Sequence, residues 1–201
     1  MSRTIIGLTG LYCAGKNHVA SLLEKRGFEI LDVDKLGHEV LEQEKEKILE
    51  HFGSACLDSN GNIDRKALGR IVFGKAEELA FLENIVHPAV NKIVEKWANK
   101  PDGRIGVIHA ALLHRLTVFD TFSFIFIVRA PFLTRFFRAK KRDDLSFRQL
   151  IKRFRNQKEF ISQYLSGNAD IHIVNNKGCF ALCSRQRSLE DRIDEVLSKL
   201  G

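Results

Sequence analysis

The sequence predicts an α/β fold, a parallel sheet flanked by helices, and three observations carry that reading. Apolar runs of strand length recur at residues 4–9, 28–31, 104–109, 122–128 and 171–175, with amphipathic helical segments between them. The stretch Gly10-Leu11-Tyr12-Cys13-Ala14-Gly15-Lys16 stands where a strand hands over to a helix and fits the spacing G-x-x-x-x-G-K. A chain of 201 residues with 44% hydrophobic composition suits one domain with insertions better than two. The expected organisation is therefore a single unit over residues 1–201, with a helical insertion at about 60–100 and an Arg-rich helical segment at about 138–165.

Taken in order, residues 4–9 read as a buried strand and 18–26 as a helix with Val19, Leu22 and Leu23 on one face. Between them the glycines permit a tight turn whose N–H groups converge on phosphate oxygens. Lys16 reaches the β- and γ-phosphates, and the helix start adds positive potential. The candidate nucleotide-binding residues are Gly10, Leu11, Tyr12, Cys13, Ala14, Gly15, Lys16, Asn17 and His18. Asn17 stands where such a loop places the Ser or Thr hydroxyl that ligates Mg²⁺, and its amide oxygen is the weak metal candidate, acting directly or through water.

Gly27 closes the first helix, and the second strand ends at Asp32-Val33-Asp34. Strand C-terminal ends surround the ligand crevice of an open parallel sheet, where phosphoryl transfer needs an acid for magnesium or as a base. Asp32 suits a helix N-cap equally well, which makes Asp34 the functional candidate. Residues 35–52 read as one helix with a solvated Glu/Lys face and 58–62 as a turn. Residues 63–73 and 77–86 read as two helices ending near His87-Pro88, and 89–98 as a further helix stopped by Lys100-Pro101-Asp102-Gly103. His87 alone fits a cap or core position more readily than a ligand. Later, 131–142 and 146–164 read as basic helices, the second N-capped by Ser146; Arg138 and Arg142, four apart, share a face. Residues 188–200 form a closing amphipathic helix, with Ser188 and Asp191 spaced like a capping box.

The net charge of +7 is local. Eleven Lys or Arg between Arg129 and Lys158 face only Asp143 and Asp144, which leaves the rest of the chain slightly acidic. Confinement to one segment points to a local polyanion site, with a solvated basic helix face as the open alternative; the phenylalanines there fall at helix-burial spacing rather than as an RNA-stacking array. No nucleic-acid partner is expected. No apolar run reaches membrane-span length, so no membrane association is expected either, and the early glycines and bulky Tyr12 suit no signal cleavage site. Cys13, Cys56, Cys179 and Cys183 are too few and scattered for a disulfide framework; Cys179 and Cys183, with His172 nearby, lack a second ligand pair of zinc-like spacing. The expected location is cytoplasmic.

Alternation of strands and helices around such a loop, with one helical insertion and a late Arg-rich segment, is the plan of small P-loop kinases. Within that class the chain resembles the dephospho-coenzyme A kinase family along nearly its whole length. The matching stretches are 5–16, Ile30-Leu31-Asp32-Val33-Asp34 with His38, and 52–88 including Arg65, Leu68 and Phe73. Val128-Arg129-Ala130-Pro131, Arg138, Arg142-Asp143, Gln157, and Ala169-Asp170 leading to Ile173 and Asn175 also match. The resemblance implies transfer of the ATP γ-phosphate to the ribose 3′-hydroxyl of dephospho-coenzyme A, with ATP and Mg²⁺ as cofactors and dephospho-coenzyme A as partner. It implies catalytic roles for Lys16, Asp34 and Arg142, a lid carrying Arg138 and Arg142, Asn175 and its neighbours after the last strand beside the adenine, and Asp34, His38, Arg65 and His87 on the acceptor side.

The departures cluster. Where the family has Asp-x-Pro-Leu-Leu-Phe-Glu, this chain has His109-Ala110-Ala111-Leu112-Leu113-His114-Arg115, and the family's Ile-Asp-Asn reads Ile173-Val174-Asn175. With Asn17, these point to a remodelled metal and acceptor region. Two other readings stay open: a nucleotide-binding relative that has lost transfer, and a kinase for a different hydroxyl.

Overall fold

The computed structural model describes residues 3–143, 145–155, 157, 160, 164, 169–176 and 189–198. Asp144, Lys158, Cys179, Cys183, Ser188 and Leu200, which figure in the sequence reading, lie outside them. The central strand is β1 (Thr4–Gly10), whose register pairs it in parallel with β3 (Ile105–His109) on one side and β4 (Phe124–Arg129) on the other. β2 (Glu29–Asp32) lies outside β3, and β5 (Asp170–Asn175) pairs in parallel with β4, giving the order β2-β3-β1-β4-β5. The expected parallel sheet flanked by helices is therefore present. Its strand order reverses at β1, so the loop after β1 opens into the crevice where open α/β sheets bind ligands.

The chain forms two compact units, Met1–Leu31 with Ala98–Gly201, and Asp32–Trp97. In the first, α1 (Lys16–Lys25) and α8 (Leu189–Leu197) cover the sheet. Ile6, Leu8, Val19, Leu23, Phe126, Val128 and Ile193 are all but sealed from solvent, each such side chain contributing roughly 1.5–3 kcal/mol relative to exposure. Both faces of β1 and β4 are buried, which is why these strands read as continuous apolar runs rather than alternating ones. α6 (Phe132–Arg142) and α7 (Phe147–Arg155) enclose a smaller cluster of Ala139, Leu150 and Phe154. Ser146 caps α7 as expected: its N–H and hydroxyl both reach Gln149 Oε1 at 2.9 Å, and Gln149 N–H returns to Ser146 Oγ at 3.4 Å. Of the helix expected over 146–164, α7 covers Phe147–Arg155; Gln157 N and Phe160 N bond three residues back, to Phe154 O and Gln157 O, and residues 156, 158, 159 and 161–163 lie outside the described ones.

The second unit holds α2 (Val33–Gln43), α3 (Lys45–Phe52), α4 (Arg65–Val72) and nearly all of α5 (Ala76–Ala98). The single helix expected over 35–52 is broken at Glu44, where the polar Glu/Lys run offers no apolar residue to hold the chain straight. The opposite correction applies at Pro88, which lies inside α5 rather than ending it: proline removes one backbone donor, and the apolar residues on both sides keep one helical course. Asp58 Oδ1 accepts from Asn60 N and Asn62 N at 2.8 and 2.9 Å, forming the expected turn, with Gly61 at φ 79°. Ile48, Cys56, Ile63, Leu68 and Val72 form this unit's core.

Arg3 is the first unit's internal tie. Its side chain is fully buried, and it joins the start of β1 to Glu29 on β2 (2.5 Å) and to Asp102 ahead of β3 (Nε to Oδ1, 3.1 Å). The guanidinium holds the Asp102 carboxyl down at about 2. A carboxylate depressed on folding contributes stability that is complete above its unfolded value near 3.8 and is lost as pH falls through about 2. Arg3→Met is expected to destabilise the protein at pH 7 by about 2 kcal/mol, since it leaves two carboxylates beside an apolar side chain. In thermal melts from pH 7 to 2, wild type should lose more midpoint below pH 4 than the variant.

Candidate nucleotide site

The glycine loop is shaped by close approaches as much as by its own flexibility. A Cβ on Gly10 would lie 2.4 Å from Val128 O, so β4 requires glycine there, and Leu11 N–H donates to that same carbonyl at 3.1 Å. Gly15 has φ 97° and caps α1, and a Cβ there would lie 2.3 Å from Asn176 Nδ2. Cys13 takes φ 56° without being glycine, a conformation that costs on the order of 1 kcal/mol. It is held there by the turn in which Ala14 N–H bonds Leu11 O at 2.9 Å. Burial pushes the Cys13 thiol up, partly opposed by Arg142, so it remains a thiol. Lys16 is the first residue of α1 and half-buried; Asn17 and His18 follow, both exposed.

Side chains from outside the loop hold it. Arg138 Nη1 donates to Ala14 O at 3.1 Å and Cys13 O at 3.5 Å, and its Nη2 to Asn176 Oδ1 at 3.4 Å. Asn176 Nδ2 donates to Ala14 O at 3.0 Å. Asn176 is 8% exposed, whereas Asn175 lies exposed at the end of β5. The sequence reading named Asn175 and its neighbours after the last strand, and of these Asn176 is the one that touches the loop. The available signal was strand alternation: buried Val174 and Asn176 share a face. Gln157 Oε1 accepts from Tyr12 N at 2.8 Å, so the second basic helical region also reaches the loop backbone.

Arg142, at the end of α6, forks onto Asp143 (Nε–Oδ1 2.9 Å, Nη2–Oδ2 3.1 Å) and lies over the Tyr12 ring at 5.2 Å. Arg142 and Tyr12 together hold the Asp143 carboxyl below its usual range. Arg138 and Arg142 thus meet the loop by different routes, the first through backbone carbonyls and the second through a side chain. His109 ends β3 in register with Leu8 and is 3% exposed, while Arg115 is exposed on a 3-10 turn, Leu113–Arg115. Thr9 Oγ1 and Tyr164 OH both donate to Ala111 O, at 3.2 and 3.4 Å, fixing the segment between them.

In the second unit, Asp32 is the N-cap of α2: its Oδ1 accepts from Lys35 N at 3.1 Å. Asp34 follows in the first turn, exposed, with His38 one turn on, also exposed. Arg65 opens α4 behind its Asp64 cap and places Nη1 2.7 Å from His38 Nδ1. The structure therefore joins His38 to Arg65. His87 lies half-buried within α5.

For magnesium, the loop offers one amide oxygen, on Asn17. Among the described residues no three His, Cys, Asp or Glu side chains converge to hold a metal. Such a donor set fits an ion carried by nucleotide phosphates and completed by water, not one seated in a protein cage. Among the described residues, no helix is long and apolar enough to cross a membrane.

Comparison with known proteins agrees with this architecture. The family model for dephospho-CoA kinase matches residues 4–180. A dephospho-CoA kinase of Treponema pallidum (strain Nichols) is 32% identical, with 98% of this chain and 95% of that protein aligned. Among solved structures, TT1252 from Thermus thermophilus superposes with a TM-score of 0.79 at 29% identity, covering all of both chains. The dephospho-CoA kinase from Campylobacter jejuni shares the fold, with a TM-score of 0.63 at 22% identity over 99% of this chain and 98% of its own.

Proposed function

The chain belongs to the dephospho-CoA kinase family, and from that membership we propose that it transfers the γ-phosphate of ATP to the ribose 3′-hydroxyl of dephospho-coenzyme A, giving coenzyme A and ADP. The observation that carries this reading is the loop at the C-terminal end of β1, set by Gly10, which the Val128 carbonyl leaves no room to enlarge, and by Gly15 at φ 97°, and fastened by Arg138 and Asn176. In this reading Lys16 and the loop N–H groups hold the triphosphate and spread its charge, the main work in phosphoryl transfer. Arg138 keeps the loop in shape while adding positive potential, and Arg142, on the lid that α6 and α7 form over the nucleotide, meets the transferring phosphate with water excluded. Asp34 takes the proton of the acceptor hydroxyl; His38, Arg65 and His87 receive the coenzyme A moiety. Asn17 would offer its amide oxygen, directly or through water, to Mg²⁺ carried by ATP, and the ion would supply neutralisation of phosphate charge. The adenine lies near the end of β5, beside Asn175 and Asn176.

The test is an assay of purified protein with ATP, Mg²⁺ and dephospho-coenzyme A, separating coenzyme A chromatographically from a no-enzyme control. Formation of coenzyme A, with adenosine and shikimate unphosphorylated, is the expected result. ATP binding without product would overturn the reading. Asn17→Ser restores a hydroxyl at the metal position and is expected to raise kcat by about two- to tenfold, the scale of one improved polar contact of ~1 kcal/mol. A titration of rate against free Mg²⁺ should also show half-saturation at lower concentration. An unchanged titration means that water or another group already completes the shell.

A further inference from the structure

Tyr12 occupies a variable position of the glycine loop, where phosphate binding uses only backbone. Its side chain nevertheless leaves the loop and packs against both basic helices. The ring lies edge-on to Phe154 of α7 with centroids 5.5 Å apart, against the cluster of Ala139, Leu150 and Phe154. The hydroxyl donates to the carboxylate of Asp143, the residue that terminates α6, and accepts from Arg153 Nη1 of α7 at 3.4 Å. Arg142 and Arg153 lie over the ring at 5.2 and 5.6 Å. One loop side chain thus contacts the C-terminal ends of α6 and α7 at once.

Arg142 depends on this arrangement. Its side chain is 61% exposed, so packing does not fix it, and a free arginine has about 2 kcal/mol of rotamer entropy to lose when it is ordered. The fork onto Asp143 and the ring face beneath it are the contacts that restrict it here. Asp143 in turn is half-buried and held by Arg142, Tyr12 and Arg153. Burial and the Asp143 carboxylate push the Tyr12 phenol up, so it stays a donor, and Asp143 stays charged.

We infer that Tyr12 is a positioning residue: through Asp143 and its own ring face it fastens α6 and α7 to the glycine loop and sets the direction in which Arg142 meets the transferring phosphate. The role in turnover rests on the phosphoryl-transfer reading above; the fastening does not. Nucleotide that seats in the loop therefore meets an arginine already held in place by the same loop.

Tyr12→Phe removes the hydroxyl and keeps the ring, Asp143→Asn removes the charge, and the double variant removes both. Two measurements separate fastening from catalysis. Amide hydrogen exchange of residues 136–155 in nucleotide-free protein is expected to speed up about threefold or more in each single variant, the scale of ~0.7 kcal/mol or more of lost local stability. In the transfer assay, kcat is expected to fall about 5- to 20-fold in each, with KM for dephospho-coenzyme A unchanged, and the double variant is expected to be no worse than the poorer single one. Unchanged exchange in Tyr12→Phe overturns the inference, and so does a double variant whose kcat loss is the product of the two single losses. If wild type makes no coenzyme A, the proposed reaction has failed and exchange alone decides the fastening.

Discussion

Lys16→Ala is expected to lower kcat/KM for ATP by about 10²–10³-fold. A cation that meets charge developing on a transferring phosphoryl group, in a site closed to water, is worth about 3–4 kcal/mol. The loop backbone, Arg138 and the remaining basic side chains stay in place, so residual turnover above the uncatalysed rate is expected. The fold should not suffer. Lys16 is the first residue of α1, and alanine is a good helix former at that position. A thermal midpoint at or above wild type, together with lost turnover, assigns the loss to chemistry. Lys16→Arg is expected to stay impaired, because a planar fork does not replace a compact ammonium in a loop whose width Gly10 and Gly15 have set. Turnover of the alanine variant within about threefold of wild type would remove Lys16 from the transfer step.

Backbone features were largely legible in the amino-acid sequence. All five strands lie within two residues of their expected bounds; β1, β3 and β4, buried on both faces, announce themselves as short apolar runs. The loop was legible because its glycines answer to sterics that spacing records. Helix ends were less so. Pro88 looked like a stop, since a propensity argument cannot see the apolar residues that hold α5 together across it. The break at Glu44 falls inside a polar run with no punctuating glycine or proline.

The site was legible in its motif and obscure in its long-range contacts. Nothing in the loop sequence says that Tyr12 leaves it to meet Asp143, 131 residues on. For the asparagines the signal is local: alternation along β5 puts Asn176, not Asn175, on the face of buried Val174. His109 raised the question of a cation in the crevice, and its 3% exposure on the buried end of β3 is a fact of packing that an alignment cannot supply. Asp32 and Asp34 show the reverse case. The sequence already offered Asp32 as a helix cap and favoured Asp34 for function, and the fold gives Asp32 that cap.

That separation yields the second large expected effect. Asp34→Asn keeps the size and hydrogen-bonding shape of the side chain but removes its ability to accept a proton, and kcat is expected to fall by about 10²–10⁴-fold, the range of a positioned general base. KM for ATP should change little, because Asp34 lies on α2 and not on the glycine loop. Asp32→Ala provides the contrast. It strips the cap from Lys35 N, so about 1 kcal/mol of stability is expected to be lost, with kcat retained within about threefold. Measured side by side, one variant should fail in steady-state kinetics with a normal melting curve, and the other should melt early with near-normal kinetics. If Asp32→Ala is the variant that loses turnover, the proton acceptor has been assigned to the wrong carboxylate. If both variants keep turnover, the acceptor hydroxyl loses its proton to solvent or phosphate, and catalysis rests on Lys16, the arginines and magnesium. The pH profile distinguishes the remaining case: an acid limb in wild-type kcat that disappears in Asp34→Asn identifies this carboxylate as the group that must be ionised for transfer.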